Sequence, residues 1–364
     1  MKNGKVVIKR VLALSIISAI LSLLIGCSTQ ERRPFKPPTY PPPPAESRYI
    51  YEGSLRTSNS ISEPDFADKL RAFATGVTIE PGGLAKPYGV AVKNDRVYVS
   101  DTQQRAIVMF DFAAKKMKYF GTDDEGRLLK PLGITISNEG NVFVADITAK
   151  RVVVFDADGN FLRAIGNEEL FERPTGIALS PDDKTLYVVD TGGIESDSHH
   201  ILVFDALNGN HIKTIGKRGT QAGELNIPLQ ATVTPNGKIY VVDSGNFRVQ
   251  AFNTDGSSSH TFGSIGRKSG QFSRPKGIAS DSAGNIYVVD TAFGNLQIFT
   301  DSGKLLLFIG DRGTSGGPGR FSLPAGIAVD ASNRIYVVDQ FFRKVDIFRP
   351  VNIPARNILT KQYQ

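Results

Sequence analysis

The sequence predicts an all-β chain whose six blades close into a propeller, and three observations carry that prediction. First, a Pro-x-Gly-Ile-Ala-like segment recurs six times, beginning at Pro87, Pro131, Pro174, Pro228, Pro275 and Pro324. Second, each copy continues into an Ile-Tyr-Val-Val-Asp-like segment closed by Asp101, Asp146, Asp190, Asp243, Asp290 or Asp339, then an apolar run ending in Phe110, Phe155, Phe204, Phe252, Phe299 or Phe348. A period of roughly 40–50 residues built of short β-rich runs is the length of one four-stranded blade, whereas a helical solenoid would show the 3.6-residue hydrophobic period. Third, fourth strands follow copies one to five, at 116–121, 161–166, 211–216, 260–266 and 305–310, but the sixth copy runs into Arg349-Pro350 with none.

Residues 1–26 read as a secretory leader. Lys2, Lys5, Lys9 and Arg10 precede an apolar stretch from Val11 to Ile25, too short for a comfortable membrane span. The stretch ends in Leu24-Ile25-Gly26-Cys27, which resembles the bacterial lipobox, so Cys27, the single cysteine, is expected to carry a lipid anchor. Without a second thiol, stability rests on packing. Residues 27–48 hold Pro34, Pro37, Pro38 and the run 41–44, a composition that favours an extended polyproline tether. Residues 49–68 read as an irregular segment in which 49–55 is at most a stray outer strand. The segment 69–76, Lys-Leu-Arg-Ala-Phe-Ala-Thr-Gly, has the pattern missing from copy six and is expected to complete that blade. The propeller then spans 69–349, with 350–364 as a tail. Closure by one strand from each end removes an edge that would otherwise recruit another chain.

Within a copy, alternation and turn residues separate the strands. In the fifth, 277–279 opens the inner strand, Ala283-Gly284-Asn285 turns, 286–290 is second, 296–299 third, Asp301-Ser302-Gly303 turns again and 305–310 is fourth. The phenylalanine closing every third strand is expected in the core between blades. The repeated aspartates read as structural caps, accepting hydrogen bonds from the turn after the second strand and pairing with Arg151 or Arg248.

Charge narrows the partners. Of 43 Lys plus Arg against 36 Asp plus Glu, four cations fall in the leader, and the remaining 39 against 36 leave a formal charge of +3. Nothing in that balance calls for nucleic acid.

Gly223-Glu224-Leu225-Asn226-Ile227-Pro228, Gly270-Gln271-Phe272-Ser273-Arg274-Pro275 and Gly319-Arg320-Phe321-Ser322-Leu323-Pro324, each followed by its Gly-Ile-Ala and Tyr-Val-Val-Asp segments, resemble the NHL repeat. The resemblance covers nearly all of 69–349 and implies a six-bladed propeller. Copy four departs from it at Leu229-Gln230-Ala231, and copy three carries an insertion from Gly192 to His200. The absence of tryptophan sets aside WD40 and quinone-cofactor propellers.

Families of this kind include scaffolds, sensors and a few metal-dependent enzymes, so fold does not give function. A peptide-amidating lyase, the enzyme the resemblance suggests, needs several channel histidines, and this chain has only His199, His200, His211 and His260. His211 and His260 fall on expected outer strands, and His199-His200 with Glu195 and Asp197 reads as a solvated loop rather than a metal site. Gly313-Thr314-Ser315-Gly316-Gly317 matches Gly-x-Ser-x-Gly without the strand-to-helix elbow that motif needs. No cofactor is expected, and a channel metal held by oxygen ligands is the alternative.

Binding is expected on the rim where loops into the third strands meet loops between blades. The first set supplies Arg105, Lys150, Arg151, Phe247, Arg248, Phe293, Phe341, Phe342 and Arg343, and the second Lys217, Arg218, Arg267, Lys268 and Arg312. Aromatic anchors beside guanidinium groups suit an anionic protein partner. The competing reading pairs the arginines with the aspartate caps and packs the phenylalanines beneath the loops. Together these features describe a monomeric, lipid-anchored binding or scaffold protein of a bacterial envelope, engaging an envelope protein or anionic glycan. Ser28 after Cys27 resembles the outer-membrane sorting signal. The alternative is a metal-dependent lyase or hydrolase working in the channel.

Overall fold

The computed structural model describes residues 35–63, 70, 73–75 and 82–359. Cys27, the expected site of lipid attachment, lies outside them. The chain divides into a unit of residues 37–360 and a second unit of 1–36 with 361–364, of which only Phe35 and Lys36 are described. Everything below concerns the first unit. No helix among the described residues is long and apolar enough to cross a membrane.

Six antiparallel sheets form the blades. Blade one is Pro87–Lys93, Arg96–Asp101, Ala106–Asp111 and Lys116–Phe120, and blades two to five occupy 131–165, 174–215, 228–262 and 275–309 in the same order. The outer strand of blade four is Ser258–Phe262, two residues before its expected start. Register explains the repeat: Pro87 stands opposite Asp101, and the same pairing joins Pro131 to Asp146, Pro174 to Asp190, Pro228 to Asp243, Pro275 to Asp290 and Pro324 to Asp339. Proline has no N–H to offer the ladder, and beside each of these prolines the facing aspartate turns its carboxylate to the N–H groups of the loop ahead of the strand.

Two residues on, the inner strands of neighbouring blades converge. A β-carbon on Gly89, Gly133, Gly176, Gly277 or Gly326 would sit 2.2–2.7 Å from a carbonyl oxygen of the next blade, which is why the third position of the motif is glycine. In copy four Gln230 takes that position, and its Oε1 accepts the Ile177 N–H at 3.1 Å. The phenylalanines of the third strands are fully buried, and four of them meet aromatic partners from adjacent elements, as in Phe120 with Phe155 at 5.1 Å and Phe262 with Phe299 at 5.0 Å.

Blade six corrects the sequence reading. Its inner strands are Pro324–Val329, Ile335–Asp339 and Lys344–Pro350, and the closing strand is Tyr49–Leu55, antiparallel to the last, with Tyr49 opposite Pro350 and Leu55 opposite Val345. The described residues of 69–76, namely Leu70 and 73–75, are helical, and Leu70 and Phe73 are exposed. Polar complementarity decides between the two segments. Ser54 donates to the buried Asp346, and Glu52 pairs with Arg334 at 3.0 Å, an ion pair that 69–76, which carries no acid, could not offer Arg334.

The flanking segments also differ from expectation. Thr39–Tyr40 adds a fifth strand beyond Tyr49–Leu55, so the proline run connects two paired strands and Tyr40 packs on Phe348 at 5.6 Å. The C-terminal stretch through residue 359 is no loose tail. Arg334 donates to the Pro354 carbonyl, Arg356 bridges Asp95 of blade one at 2.6 Å and Asp330 of blade six at 3.6 Å, and Ile358 is buried.

Candidate binding face at the channel mouth

The antiparallel order brings the starts of the inner strands, the ends of the second strands and the loops into the third strands to one end of the ring. There the six repeated aspartates are fully buried. Asp101 accepts the N–H groups of Ala85 (2.7 Å) and Lys86 (2.9 Å) from one loop and of Gln103 (3.1 Å) and Gln104 (3.0 Å) from the other. Asp146 does the same for Leu129, Lys130, Thr148 and Ala149, Asp190 for Glu172, Arg173 and Gly192, and Asp290 for Ser273, Arg274, Ala292 and Phe293. In blade six Asp339 takes Ser322, Leu323 and Phe342, and in blade four Asp243 takes Asn226. Each carboxylate ties the loop entering its blade to the turn leaving the second strand, satisfying N–H groups that burial would otherwise leave unpaired. Arg248 adds an Nε–H bond to Asp243 at 2.8 Å, but Arg151 does not pair with Asp146 and donates instead to the carbonyls of Glu125 and Arg127.

With those loops fixed, residues flanking the prolines of blades one to five line a channel-mouth cavity of about 360 Å³. Its walls include Lys86, Lys130, Arg173 and Lys276 from blades one, two, three and five, with Tyr88, Thr102, Thr175, Thr191, Ile194, Leu229 and Gln340. No carboxylate is among the lining residues. Among the described residues, none of these four cations, nor Arg274 beside them, forms an ion pair. Lys276 donates to Gln340 Oε1 at 3.1 Å and lies over the Tyr88 ring, 4.6 Å from its centroid. Burial, reinforced by Arg274 and Lys86, pushes its ammonium down to about 8. Burial likewise pushes the Tyr88 phenol up to about 12.

The insertion in copy three forms one lip of the mouth, and it corrects the reading of His199 as solvated. His199 is fully buried: its Nδ1 accepts the Ile227 N–H at 3.3 Å, which places the ring proton on Nε2, donating to the Gly193 carbonyl at 3.0 Å. Glu172 accepts the Gly193 N–H at 2.8 Å and the Ser196 hydroxyl, and the Ser196 bond is the largest of the interactions that hold its carboxyl below the usual range. These ties hold Ile194 out at the mouth, 74% exposed. His200 begins the third strand and is half-buried, which lowers its tendency to ionise.

Past the ring of glycines lies a second cavity of about 240 Å³, lined by Val, Ala, Ile and Leu side chains together with Thr135, Gln230, Thr232 and Ser280. Among the described residues, no three His, Cys, Asp or Glu side chains gather where they could share a metal ion.

The outer rim divides into used and free residues. Arg105, Phe341 and Arg343 are exposed, as are Lys217, Arg267, Lys268 and Arg312, although Lys217 pairs with Glu224 at 3.4 Å and Arg312 donates to the Ala292 carbonyl at 3.0 Å. Arg218 is committed to the Ser196 carbonyl. Arg248 is taken up by Asp243 and by the carbonyls of Gln221 and Glu224, while Lys150, Phe247, Phe293 and Phe342 are only partly exposed. Arg105, Lys150, Phe247 and Arg343 share one left-handed position, at φ of 50–56°, just before the third strand, and Gly294 fills it in blade five. Three of the mouth cations had a signal in the sequence, the basic residue directly before the repeat proline, which is Lys86, Lys130, Arg173 or Arg274 in four copies, whereas Lys276 follows its proline and no repeat marks it.

Three family models match successive parts of the chain: the SMP-30/Gluconolactonase/LRE-like region over residues 76–168, the NHL repeat over 225–252, and a 6-bladed beta-propeller family over 266–348. With the observed blade count, this decides the architecture. The chain is a six-bladed β-propeller of NHL-like repeats. Against the human E3 ubiquitin-protein ligase NHLRC1 this propeller is 30% identical over 132 residues, 35% of the chain and 32% of that protein. It spans a third or less of the length of the curated relatives it matches. Among solved structures, a Xanthomonas campestris gluconolactonase superposes with a TM-score of 0.57 at 14% identity, over 87% of this chain and 96% of that one. An auxiliary nutrient binding protein from Bacteroides thetaiotaomicron gives 0.58 at 13% identity, over 82% and 77%. At such identities the propeller shares their fold, and site chemistry must come from its own residues.

Proposed function

We propose that this propeller is a binding module of a bacterial cell envelope, anchored by lipid on Cys27, which engages an acidic envelope protein through its loop face. The observation that carries the reading is the free part of the rim: Phe341, 60% exposed and edge-on to Phe342 at 5.1 Å, stands with exposed Arg105 and Arg343 at the blade six and blade one loops. An exposed aromatic beside guanidinium groups supplies apolar area and charge steering in one patch. An anionic glycan is the alternative partner for the same chemistry.

The SMP-30/gluconolactonase match favours a second reading, a channel lyase or hydrolase. Against it, the two channel cavities offer threonine, serine and glutamine oxygens where a metal-dependent hydrolase would place carboxylates or imidazoles.

The test is capture from native envelope extract by the full chain, beside a variant with Arg105, Phe341 and Arg343 all changed to Ala. A partner retained by the first and lost by an equally folded second supports the rim. Identical capture by both, together with an activity abolished by chelation, would transfer the case to the channel enzyme. Cys27→Ser is expected to abolish lipid labelling and release the protein from the membrane fraction.

A further inference from the structure

Four cations from four different blades surround one cavity with no carboxylate in its lining, and the acids behind its loops are already engaged, Glu172 by the Gly193 N–H and the Ser196 hydroxyl. Asp101, Asp146, Asp190 and Asp290 are fully buried between the loops, and their oxygens are saturated by backbone N–H donors. Lys276 is the sharpest case. It is half-buried, facing Lys86 and the Tyr88 ring from blade one, Arg274 from its own loop and Gln340 from blade six, with a neutral oxygen and a π face as its partners among the described residues. Holding like charges together without a counter-ion is unfavourable, and the arrangement is relieved by an anion seated among them. The cavity volume, about 360 Å³, lies in the range of small-ligand pockets, and its floor of threonine and aliphatic side chains suits the carbon skeleton of such a ligand.

We propose that the channel mouth binds a small multiply charged anion, its charge carried by carboxylate or phosphate oxygens, held between Lys86, Lys130, Arg173 and Lys276, with exposed Ile194 of the blade three insertion at its lip. This site is distinct from the rim tips, so either can fail without the other.

The full chain, purified in non-ionic detergent, is titrated calorimetrically with citrate and with inorganic phosphate, acetate serving as the monoanion control. One saturable, salt-sensitive site for citrate or phosphate, at least about tenfold tighter than for acetate, is the expected result. Citrate alone would assign carboxylates and phosphate alone phosphates. Lys276→Met and Lys130→Gln should each weaken binding by about tenfold or more, while the variant altered at Arg105, Phe341 and Arg343 binds as the parent does. Lys276→Met removes a buried charge and should fold at least as well as the parent, so its loss of binding is not a folding defect. Affinity should also fall as pH rises through about 8, where Lys276 gives up its proton. Absence of saturable binding by either probe up to about 10 mM, or binding undiminished in both lysine variants, overturns the proposal.

Discussion

At Gly277 a β-carbon would lie 2.2 Å from the carbonyl oxygen of Ala325, and backbone of the next blade cannot swing aside as a side chain would. Gly277→Ala is therefore expected to cost about 2–4 kcal/mol, and urea denaturation should show a lowered midpoint with an unchanged slope. Lys276, its neighbour in sequence, makes a prediction about pH. Its folded pKa is depressed to about 8 from 10.5, so below 8 the proton is bound in both folded and unfolded states and burial of the charge weighs against the fold. Between 8 and 10.5 the unfolded chain binds the proton and the folded chain does not, so this residue's contribution to stability rises with pH. Unfolding free energies measured near pH 7 and pH 9.5 should rise less in Lys276→Met than in the parent, and equal rises would refute the assignment. Such residues show what was legible. Proline, glycine and aspartate repeat because backbone geometry demands them in every blade, so periodicity exposed them. His199 and Lys276 occur once each, and their roles depend on contacts with residues 28 and 64 positions away, Ile227 and Gln340, which no local pattern encodes.

Strands of equivalent position solve one problem in two ways. In blades four and five a buried glutamine of the third strand serves the glycine-rich loop ahead of it. Gln250 accepts the Gly223 N–H and donates to the Glu224 carbonyl, and Gln297 accepts from Gly270 and donates to Gln271. In blade six two side chains serve the glycine-rich loop, one accepting from the equivalent glycine and the other donating to a carbonyl two residues before it. Asp346 accepts the Gly319 N–H at 3.1 Å, and Lys344, in a fully buried ion pair with it at 2.6 Å, donates to the Gly317 carbonyl at 2.8 Å. Lys344→Met alone strands the carboxylate in the core and should cost about 3–5 kcal/mol. Adding Asp346→Gln restores the arrangement of blades four and five, and the double variant should recover all but about 1 kcal/mol of that loss in a double-mutant cycle. A double variant as unstable as the single one would show the pair to be indispensable in its own right. Alternation made the third strands legible, but a lysine two residues from an aspartate reads equally well as solvated surface, so the buried pair was not.

Closure of the ring is the property that only the whole molecule has. The sixth blade lacks an outer strand of its own, and the segment that supplies it is chosen by polar matching rather than by apolar pattern. Glu52 meets Arg334 and Ser54 meets Asp346, while the C-terminal stretch crosses back so that Arg356 joins blade six to Asp95 of blade one. Hydrophobic patterning alone favoured 69–76, because an apolar alternation carries no information about which buried charges await a partner across the ring. Removing residues 37–55 should therefore do more than shorten a sheet. It would expose the edge of Lys344–Pro350 and leave the carboxylate of Asp346 and the guanidinium of Arg334 with fewer partners. The expected outcome is a chain that self-associates in light scattering, with a lowered unfolding midpoint and an unfolding free energy reduced by about 4 kcal/mol or more. A synthetic peptide of residues 37–57 added in trans should dock on the free edge and restore both the monomer and the midpoint, whereas a peptide of residues 66–78 should not. Rescue by the second peptide and not by the first would return closure to 69–76, and a truncated chain that stays monomeric and stable without either would mean that the ring holds without a latch.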